Sequence, residues 1–549
     1  MSATEPVDAS QESFPQPYTR RATGLVREIP LLDAVAFNSA SGGGGLGFAV
    51  ALTLFVALIE FPGANLVLAL VIGLLLCIPI WITWSLLGAA MPRVGGDYLY
   101  NSRLLHPVLG LIGNVSQFVS VVLTGGLIAY FVPTAGLVPA FTIIGRVTNS
   151  HGWVSLANTL SSKGWTLAIG IAVVLALSAL SILGTKITLR VMTVCVIVGT
   201  AGFILALLVT LFESRSGFVS ALNSFSQPFT HTANTYSATL AAGAKDGLSY
   251  PDHGSGYSSS ATFGALITGV FFFAPFMWSV YMSGEMKGAG RRGRQMSAII
   301  GTGVGQGIIV ILAVVIFLHV VGYDFYTAAT AGAYAVPVEP YYIFFSAIAA
   351  NSSFIAIVVG LTFLFFFPPA TYINLAMSQR APFAWAFDGL IPKKIAAVND
   401  RTHTPVVSIA IIAIGSSAAV VWATYGKTFL TLLSEITLLF FVPFVIVGIS
   451  AVLMPRLRPH LYKNGPADWR VFGLPMLPIT GAACTLISLF IMFLILHFHK
   501  SVGIEHVVTA LYWVIGCAIA AIVLYYGASA MQRRRGVDLS LVYKTLPPE

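Results

Sequence analysis

Runs of apolar residues, each about twenty long or longer, recur along the whole chain and are separated mostly by short polar stretches rich in lysine and arginine. A helix needs about 20 apolar residues to cross a bilayer. Twelve such runs are found, near residues 31–60, 66–91, 107–135, 165–184, 190–212, 263–285, 297–321, 342–378, 404–423, 429–454, 475–498 and 507–530. The pattern predicts an all-α polytopic membrane protein with 12 transmembrane helices, numbered below as segments 1 to 12. Segment 8 is long enough to include an extension beyond the bilayer. Two connections depart from the short-loop rhythm. Residues 213–262, rich in Ser, Thr, Gly, Asn and Ala, read as a loosely ordered external insert, the alternative being a vestibule cap. Arg380 to Thr404 mixes helix-forming and turn residues on the opposite side.

Two of the apolar runs interrupt themselves. Segment 1 contains "SASGGGGLGF" from Ser39 to Phe48, and each interior glycine costs a helix roughly 1 kcal/mol relative to alanine. Gly42, Gly44 and Gly47 spell G-x-G-x-x-G, but the flanks are apolar and helix-like where a nucleotide fingerprint needs a preceding strand and a soluble helix. Gly43 and Gly47 also form a GxxxG pair, which helix packing alone would explain. Packing does not require four glycines in a row beside Ser39 and Ser41. Unpaired peptide groups at membrane depth are costly unless they face protein, water or a ligand, so the stretch reads as an unwound turn that binds something. Segment 6 supplies a counterpart: Pro275 lies thirteenth in the run Phe263 to Gly284, removing an N–H near mid-membrane. Two breaks five segments apart fit inverted five-helix repeats with discontinuous helices at matching positions.

Composition agrees with a lipid solvent: of 549 residues 57% are hydrophobic and only 9% charged, and the mean hydropathy is +0.86. The first thirty residues carry Arg20, Arg21 and Arg27 without an apolar core, so they read as an inner tail instead of a removable signal. Among 29 lysines and arginines, only Arg146, Lys163, Arg215, Lys245, Lys427 and Lys500 fall in the expected outer loops. This bias predicts both termini in the cytoplasm of a cell inner (plasma) membrane, and it accounts for the net charge of +9 without nucleic acid. Arg533, Arg534 and Arg535 would meet anionic headgroups just past segment 12. Cys77, Cys195, Cys484 and Cys517 lie in apolar runs at no metal-ligand spacing and read as packing residues. No nucleophile, base and orienter set stands out, and no P-loop pattern occurs, which argues against an enzyme and against a self-contained ATP-driven pump. The predicted organisation is an inner tail (1–30), a first repeat (31–212), the outer insert (213–262), a second repeat (263–454), two further helices (475–530) and an inner tail (531–549).

Four stretches carry a family likeness: the glycine-rich break, "MPRVGGDYLYNSRLLHPVLGLIGN" after segment 2, "SGEMKGAGRRGRQMSAIIG" after segment 6, and "SQRAPFAWAFDGLIPKKIAAVNDRTHTPVVSIA" after segment 8. With Gly95-Gly96-Asp97-Tyr98 and Asp388-Gly389-Leu390-Ile391-Pro392 in the expected loops, the chain resembles the amino acid/polyamine/organocation superfamily of secondary transporters over about residues 30–500. The resemblance implies a fold of two inverted five-helix repeats plus two helices, with helices 1 and 6 broken. It also implies that a substrate carboxylate meets N–H groups at Ser41 to Gly44 while carbonyls at the segment 6 break receive an ammonium. Helix amino ends favour anions and carboxyl ends favour cations, which is independent support.

Two departures matter. Where many members carry a glutamate in segment 6, this chain has Met277 after Pro275 and Phe276; where some carry a lysine in segment 5, it has Gly199. Neither a glutamate-based nor a lysine-based proton scheme is expected.

The candidate substrate-binding residues are Ser39, Ser41, Gly42, Gly43 and Gly44 in segment 1, Asn114 and Gln117 in segment 3, and Phe271, Phe273, Ala274, Pro275, Phe276, Met277 and Trp278 in segment 6. The aromatic members would form an apolar wall. Asn114, Gln117 and Thr124 share a helical face, with interhelical hydrogen bonding as the competing role. Thr371, after Pro368 and Pro369, is a weak sodium candidate. Asp33, Glu60, Glu213, Glu285 and Glu435 lie toward segment ends and read as structural or solvated, Glu285 as a partner of inner-loop arginines. The expected activity is alternating-access import of a neutral or apolar amino acid, without a cofactor and with H⁺ or Na⁺ as the coupling ion. A polyamine or cationic amino acid carrier or exchanger of the same fold, a channel and a substrate-sensing receptor are the alternatives; the residues do not address oligomeric state.

Overall fold

The computed structural model describes residues 25–41, 45–248, 256–426 and 428–547. Eleven helical stretches among these residues are long and apolar enough to cross a membrane: Leu66–Ala90, Pro107–Val147, Lys163–Ile182, Thr185–Phe212, Ser259–Met282, Arg292–Val321, Ser353–Phe387, Val406–Tyr425, Ser434–Leu457, Met476–His497 and Val507–Arg533. They correspond to segments 2 to 12. Segment 1 consists of the helices Leu31–Ser41 and Leu46–Glu60, neither long enough alone, and Gly42, Gly43 and Gly44 between them lie outside the described residues. Helix starts follow local chemistry. Asn65 accepts from the Leu68 N–H, Ser258 accepts from Ala261, and Pro107 sits at the first turn where its missing N–H costs nothing. The single described hairpin pairs Arg470 with Pro475 and Val471 with Leu474 across Phe472 and Gly473, whose φ of 51° and 79° are those of a type I′ turn.

Segment 6 is the centre of the bundle and segment 12 its edge: 89% of the most apolar window of segment 6 is buried against 17% for segment 12. The outer surfaces carry Leu486, Ile519 and Val523, more than half exposed, while Asn101, Asn114, Gln117 and Thr371 are buried. That arrangement suits a protein whose outer solvent is hydrocarbon. Segments 2 and 6 meet backbone to backbone, since a Cβ on Gly73 would lie 3.1 Å from the Gly269 carbonyl carbon.

The basic connections gather on one face. Ile29 and Met286 share a parallel backbone bridge, Arg458 donates to the Arg103 carbonyl, Thr404 to that of Ile182, Gln532 to that of Gly389, and Arg93 to that of Pro547. On the opposite face the Ser258 N–H bonds to Gly63, Tyr323 to Ala64, and Tyr236 to Val321.

Four expectations are corrected here. The described part of residues 213–262 is not a loose insert: it includes the helices Arg215–Thr230 and Thr235–Lys245, seated by Phe218 and Tyr236 on Phe325, with Tyr236 and Phe325 stacked at 4.3 Å. The apolar spacing Phe218, Leu222, Phe225, Phe229 supplies a helical face that the polar composition hides. Segment 8 is two helices, Tyr342–Ala349 and Ser353–Phe387, divided at Asn351, whose φ is 44°; the second runs to Phe387, through most of the first part of the Arg380 to Thr404 stretch. Segment 3 continues beyond residue 135 to Val147 through a π-helical turn at Val132–Leu137. The expected break of segment 6 at Pro275 is not a gap in the helix. The segment passes at Ala274 from α-helix into a 3₁₀-helix that continues to Met282.

Candidate substrate-binding site and the closed basic face

The two interruptions predicted from sequence touch each other. The Ser41 hydroxyl lies 2.7 Å from the Pro275 carbonyl and 2.5 Å from that of Asn38. Without Pro275's N–H and with 3₁₀ geometry, carbonyls in this stretch can accept side-chain donors: Pro275 takes Ser41, and Phe273 takes the Trp81 indole at 3.1 Å. Asn38 completes the joint. Its amide donates to the Ser279 hydroxyl (3.0 Å) and the Ala298 carbonyl (2.7 Å), and its oxygen accepts from the Ser279 N–H (2.8 Å). Both donors of this buried amide and its oxygen are thereby used. Neither Asn38 nor Trp81 was among the sequence candidates. Asn38 sits beside Ser39 and one turn before Ser41 in the same short helix, so its place next to the glycine-rich stretch was the available signal.

Around this joint Phe273 stacks on Phe276 at 6.3 Å and Trp81 packs on Phe276 at 6.0 Å. Phe271 and Trp278 both pack on Phe440 of segment 10, at 5.2 and 6.2 Å. Ser39, Ala274 and Met277 are buried beside them in the chain, and the Trp278 indole N–H has no partner. The segment 6 candidates and Ser41 therefore form one neighbourhood, and Gly42, Gly43 and Gly44 lie outside the described residues.

Three other candidates have different surroundings. Asn114 does not join the breaks; it is held between Asp97 and the Trp385 indole. Gln117, one turn on, is buried with neither amide atom bonded, and Thr124 bonds within its own helix to Ser120. Thr371 is fully buried and its hydroxyl is used by the Phe367 carbonyl. The ring of Phe366 fills the gap between segments 1, 5 and 8, within 2.6 Å of where a Cβ on Gly45 would be and 3.0 Å of one on Gly199. Gly199 is thus a packing position for a phenyl ring here.

The basic face is shut by two buried ion pairs. Arg103 meets both oxygens of Asp388, at 2.8 Å and 2.7 Å, with side-chain exposures of 2% and 3%, and Tyr98 donates to the same carboxylate at 2.8 Å. The tail contributes Tyr543, whose ring lies 4.9 Å from the Arg103 guanidinium. Glu285 receives Arg380 at 2.8 Å and the Thr185 hydroxyl at 2.8 Å, so its pairing with an arginine is as expected. The lead-in to segment 1 is stitched to the exit of segment 6 by the Ile29 and Lys287 N–H groups, each at 3.0 Å. Beside that seam a cavity of about 370 Å³, lined by Lys186, Arg190, Arg401 and Glu28 among others, opens on the basic face away from the breaks. Asp33 is buried and bonded to Thr193, and Glu435 accepts from Thr509 and Trp513, both structural roles.

The "GGDY" and "DGLIP" stretches that carry the resemblance meet through Tyr98 and Asp388, and the two interrupted segments meet through Ser41 and Pro275. Comparison with curated proteins gives no match. The family model described as amino acid permease matches residues 32–519, most of the chain. The chain, a multi-pass membrane protein, therefore belongs to the amino acid permease family.

Proposed function

We propose that this permease is a secondary active transporter that moves neutral or apolar amino acids across the plasma membrane by alternating access. The observation that carries this reading is the Ser41–Pro275 contact, which brings the two interrupted segments together beside Phe273, Phe276 and Trp81. In this reading the carboxylate binds N–H groups from Ser41 to Gly44, and the ammonium displaces Ser41 from the Pro275 carbonyl. A zwitterion then needs no buried side-chain charge, and the aromatic wall favours an apolar side chain.

The reading includes a twelfth crossing formed by residues 31–60, inverted repeats at 31–212 and 263–454, an outer connection at 213–262, two added helices at 475–530, and inner tails at 1–30 and 531–549. Both tails lie in the cytoplasm, since the basic connections share one face. Gln117, with both amide atoms unbonded, is a further contact as the site rearranges. No catalytic chemistry and no cofactor are assigned, and coupling is to H⁺ or Na⁺.

Binding of radiolabelled leucine and phenylalanine to the purified protein tests the site. Gly43→Leu is expected to abolish binding while the thermal unfolding transition stays in place; unchanged affinity would refute an unwound binding turn.

A further inference from the structure

Asp97 opens the helix Asp97–Leu104 that connects segments 2 and 3, and it is completely buried. Its two oxygens are unequal. Oδ1 accepts from the Tyr281 hydroxyl at 2.6 Å and from the Asn114 amide at 2.8 Å. The amide's orientation is fixed, because the Trp385 indole can only donate and takes the Asn114 oxygen at 2.9 Å. Among the described residues Oδ2 has no hydrogen-bond partner, and it lies 3.3 Å from where a Cβ on Gly113 would be, a glycine that in turn packs on Pro443 of segment 10.

The titratable groups facing the carboxyl are Tyr281 from segment 6 and Tyr100 on its own helix, both neutral donors. Segment 3 presents Gly113 and Asn114, and segment 10 presents Pro443. The nearby cation on the same helix, Arg103, is committed to Asp388. A carboxylate buried against glycine and proline without a cation carries an uncompensated charge, whereas a carboxylic acid protonated on Oδ2 leaves Oδ1 free to accept both donors. Burial pushes the Asp97 carboxyl up to about 7, against the smaller opposing pull of Tyr281, Asn114 and the backbone N–H groups of Tyr98 and Asp97 at the helix start.

We infer that Asp97 is a proton-binding site, and that its protonation holds the basic face of this permease closed. Asp97 is placed to couple the two sides of the seal. Through Tyr281 it reaches the 3₁₀ stretch whose Ser279 is bonded to Asn38 of segment 1, and through Asn114 and Trp385 it reaches the helix that leads to Asp388. Opening the face admits water to Asp97 and returns it to an ordinary carboxylate. The closed form then binds the proton more tightly, so closure is favoured at low pH. Between the ordinary carboxylate range and about 7 the ratio of open to closed forms rises about tenfold per pH unit, and above that it levels off. The proposal rests on the transporter reading for its meaning but is tested without any amino acid.

The experiment uses full-length protein in liposomes of neutral lipid. Infrared difference spectra across about pH 5–9 follow the C=O stretch of a protonated carboxyl. Maleimide labelling of an Ala384→Cys reporter beneath the closed face, read by mass spectrometry, follows opening. Wild-type protein is expected to lose a carboxylic acid band near neutrality as labelling increases. Asp97→Asn should remove that band and make labelling slow and independent of pH. Tyr281→Phe deletes a hydrogen bond to the charged form and should move both midpoints to higher pH, which keeps the test decisive if Asp97→Asn fails to fold. A band that persists in Asp97→Asn, labelling whose pH profile is the same with and without Asp97, or midpoints untouched by Tyr281→Phe would overturn the proposal. Failure of every amino acid to be transported, with these titrations intact, would count against the substrate reading alone.

Discussion

Residue contacts across hundreds of positions decide which polar groups this chain can bury. Arg103 and Asp388 are separated by 285 residues, yet each is almost wholly buried against the other. Breaking such a pair from one side leaves a bare charge, which costs about 3–5 kcal/mol. Arg103→Ala is therefore expected to lower the thermal unfolding midpoint by several degrees and to raise labelling of an Ala384→Cys reporter at all pH values; an unchanged midpoint would show that the pair does not seal the face. The sequence identified Tyr98 and Asp388 as members of separate family stretches, and the structure bonds one to the other at 2.8 Å. What could not be read was which side chain would answer which. Asn38 and Trp81 bond to partners 241 and 192 residues away, and no local periodicity encodes such pairings. Asn38→Ala leaves the Ser279 N–H and the Ala298 carbonyl without their amide partner, a loss of about 1–3 kcal/mol. Equilibrium binding of leucine to this variant is expected to weaken by about tenfold or more, and wild-type affinity would show that the joint does not shape the site.

At the scale of elements, Pro275 signalled the right place but not the right geometry. Pro275 marks where segment 6 changes character, and the change is a tightening into nine residues of 3₁₀-helix instead of a break between two helices. Proline removes one donor, and neighbouring carbonyls can be satisfied by Ser41 and Trp81, so the chain has no need to open. The connection 213–262 was legible in its length alone. Its Ser- and Thr-rich composition resembles a linker, and the aromatic face that seats it on Phe325 and Phe345 becomes informative only once those residues are known to lie opposite. Phe218 is fully buried there, and truncating such a ring costs about 3–5 kcal/mol. Phe218→Ala should make residues 215–245 exchange amide hydrogens much faster while the helices of segments 2 and 6 stay protected. Equal protection in both proteins would mean that the cap is held by something else.

For the whole molecule, hydropathy was sufficient to establish the class, because residues in lipid must satisfy their backbone bonds within helices. Eleven of the predicted segments correspond to helices long and apolar enough to cross a membrane, and residues 31–60 contain the helices Leu31–Ser41 and Leu46–Glu60, with Gly42, Gly43 and Gly44 outside the described residues. The clustering of basic connections on one face follows from the same chain-wide pattern. The packing of Trp81 and Phe273 on Phe276 joins two segments, and no local pattern in the sequence pairs them. The most direct test is uptake of radiolabelled amino acids into proteoliposomes under an imposed proton gradient, an imposed sodium gradient or neither, with single amino acids as competitors. The account predicts gradient-driven accumulation that leucine and phenylalanine suppress, that arginine and polyamines leave largely intact, and that Gly43→Leu abolishes. Accumulation suppressed better by arginine or a polyamine than by leucine, or no accumulation and no exchange of any amino acid with preloaded vesicles, would contradict it.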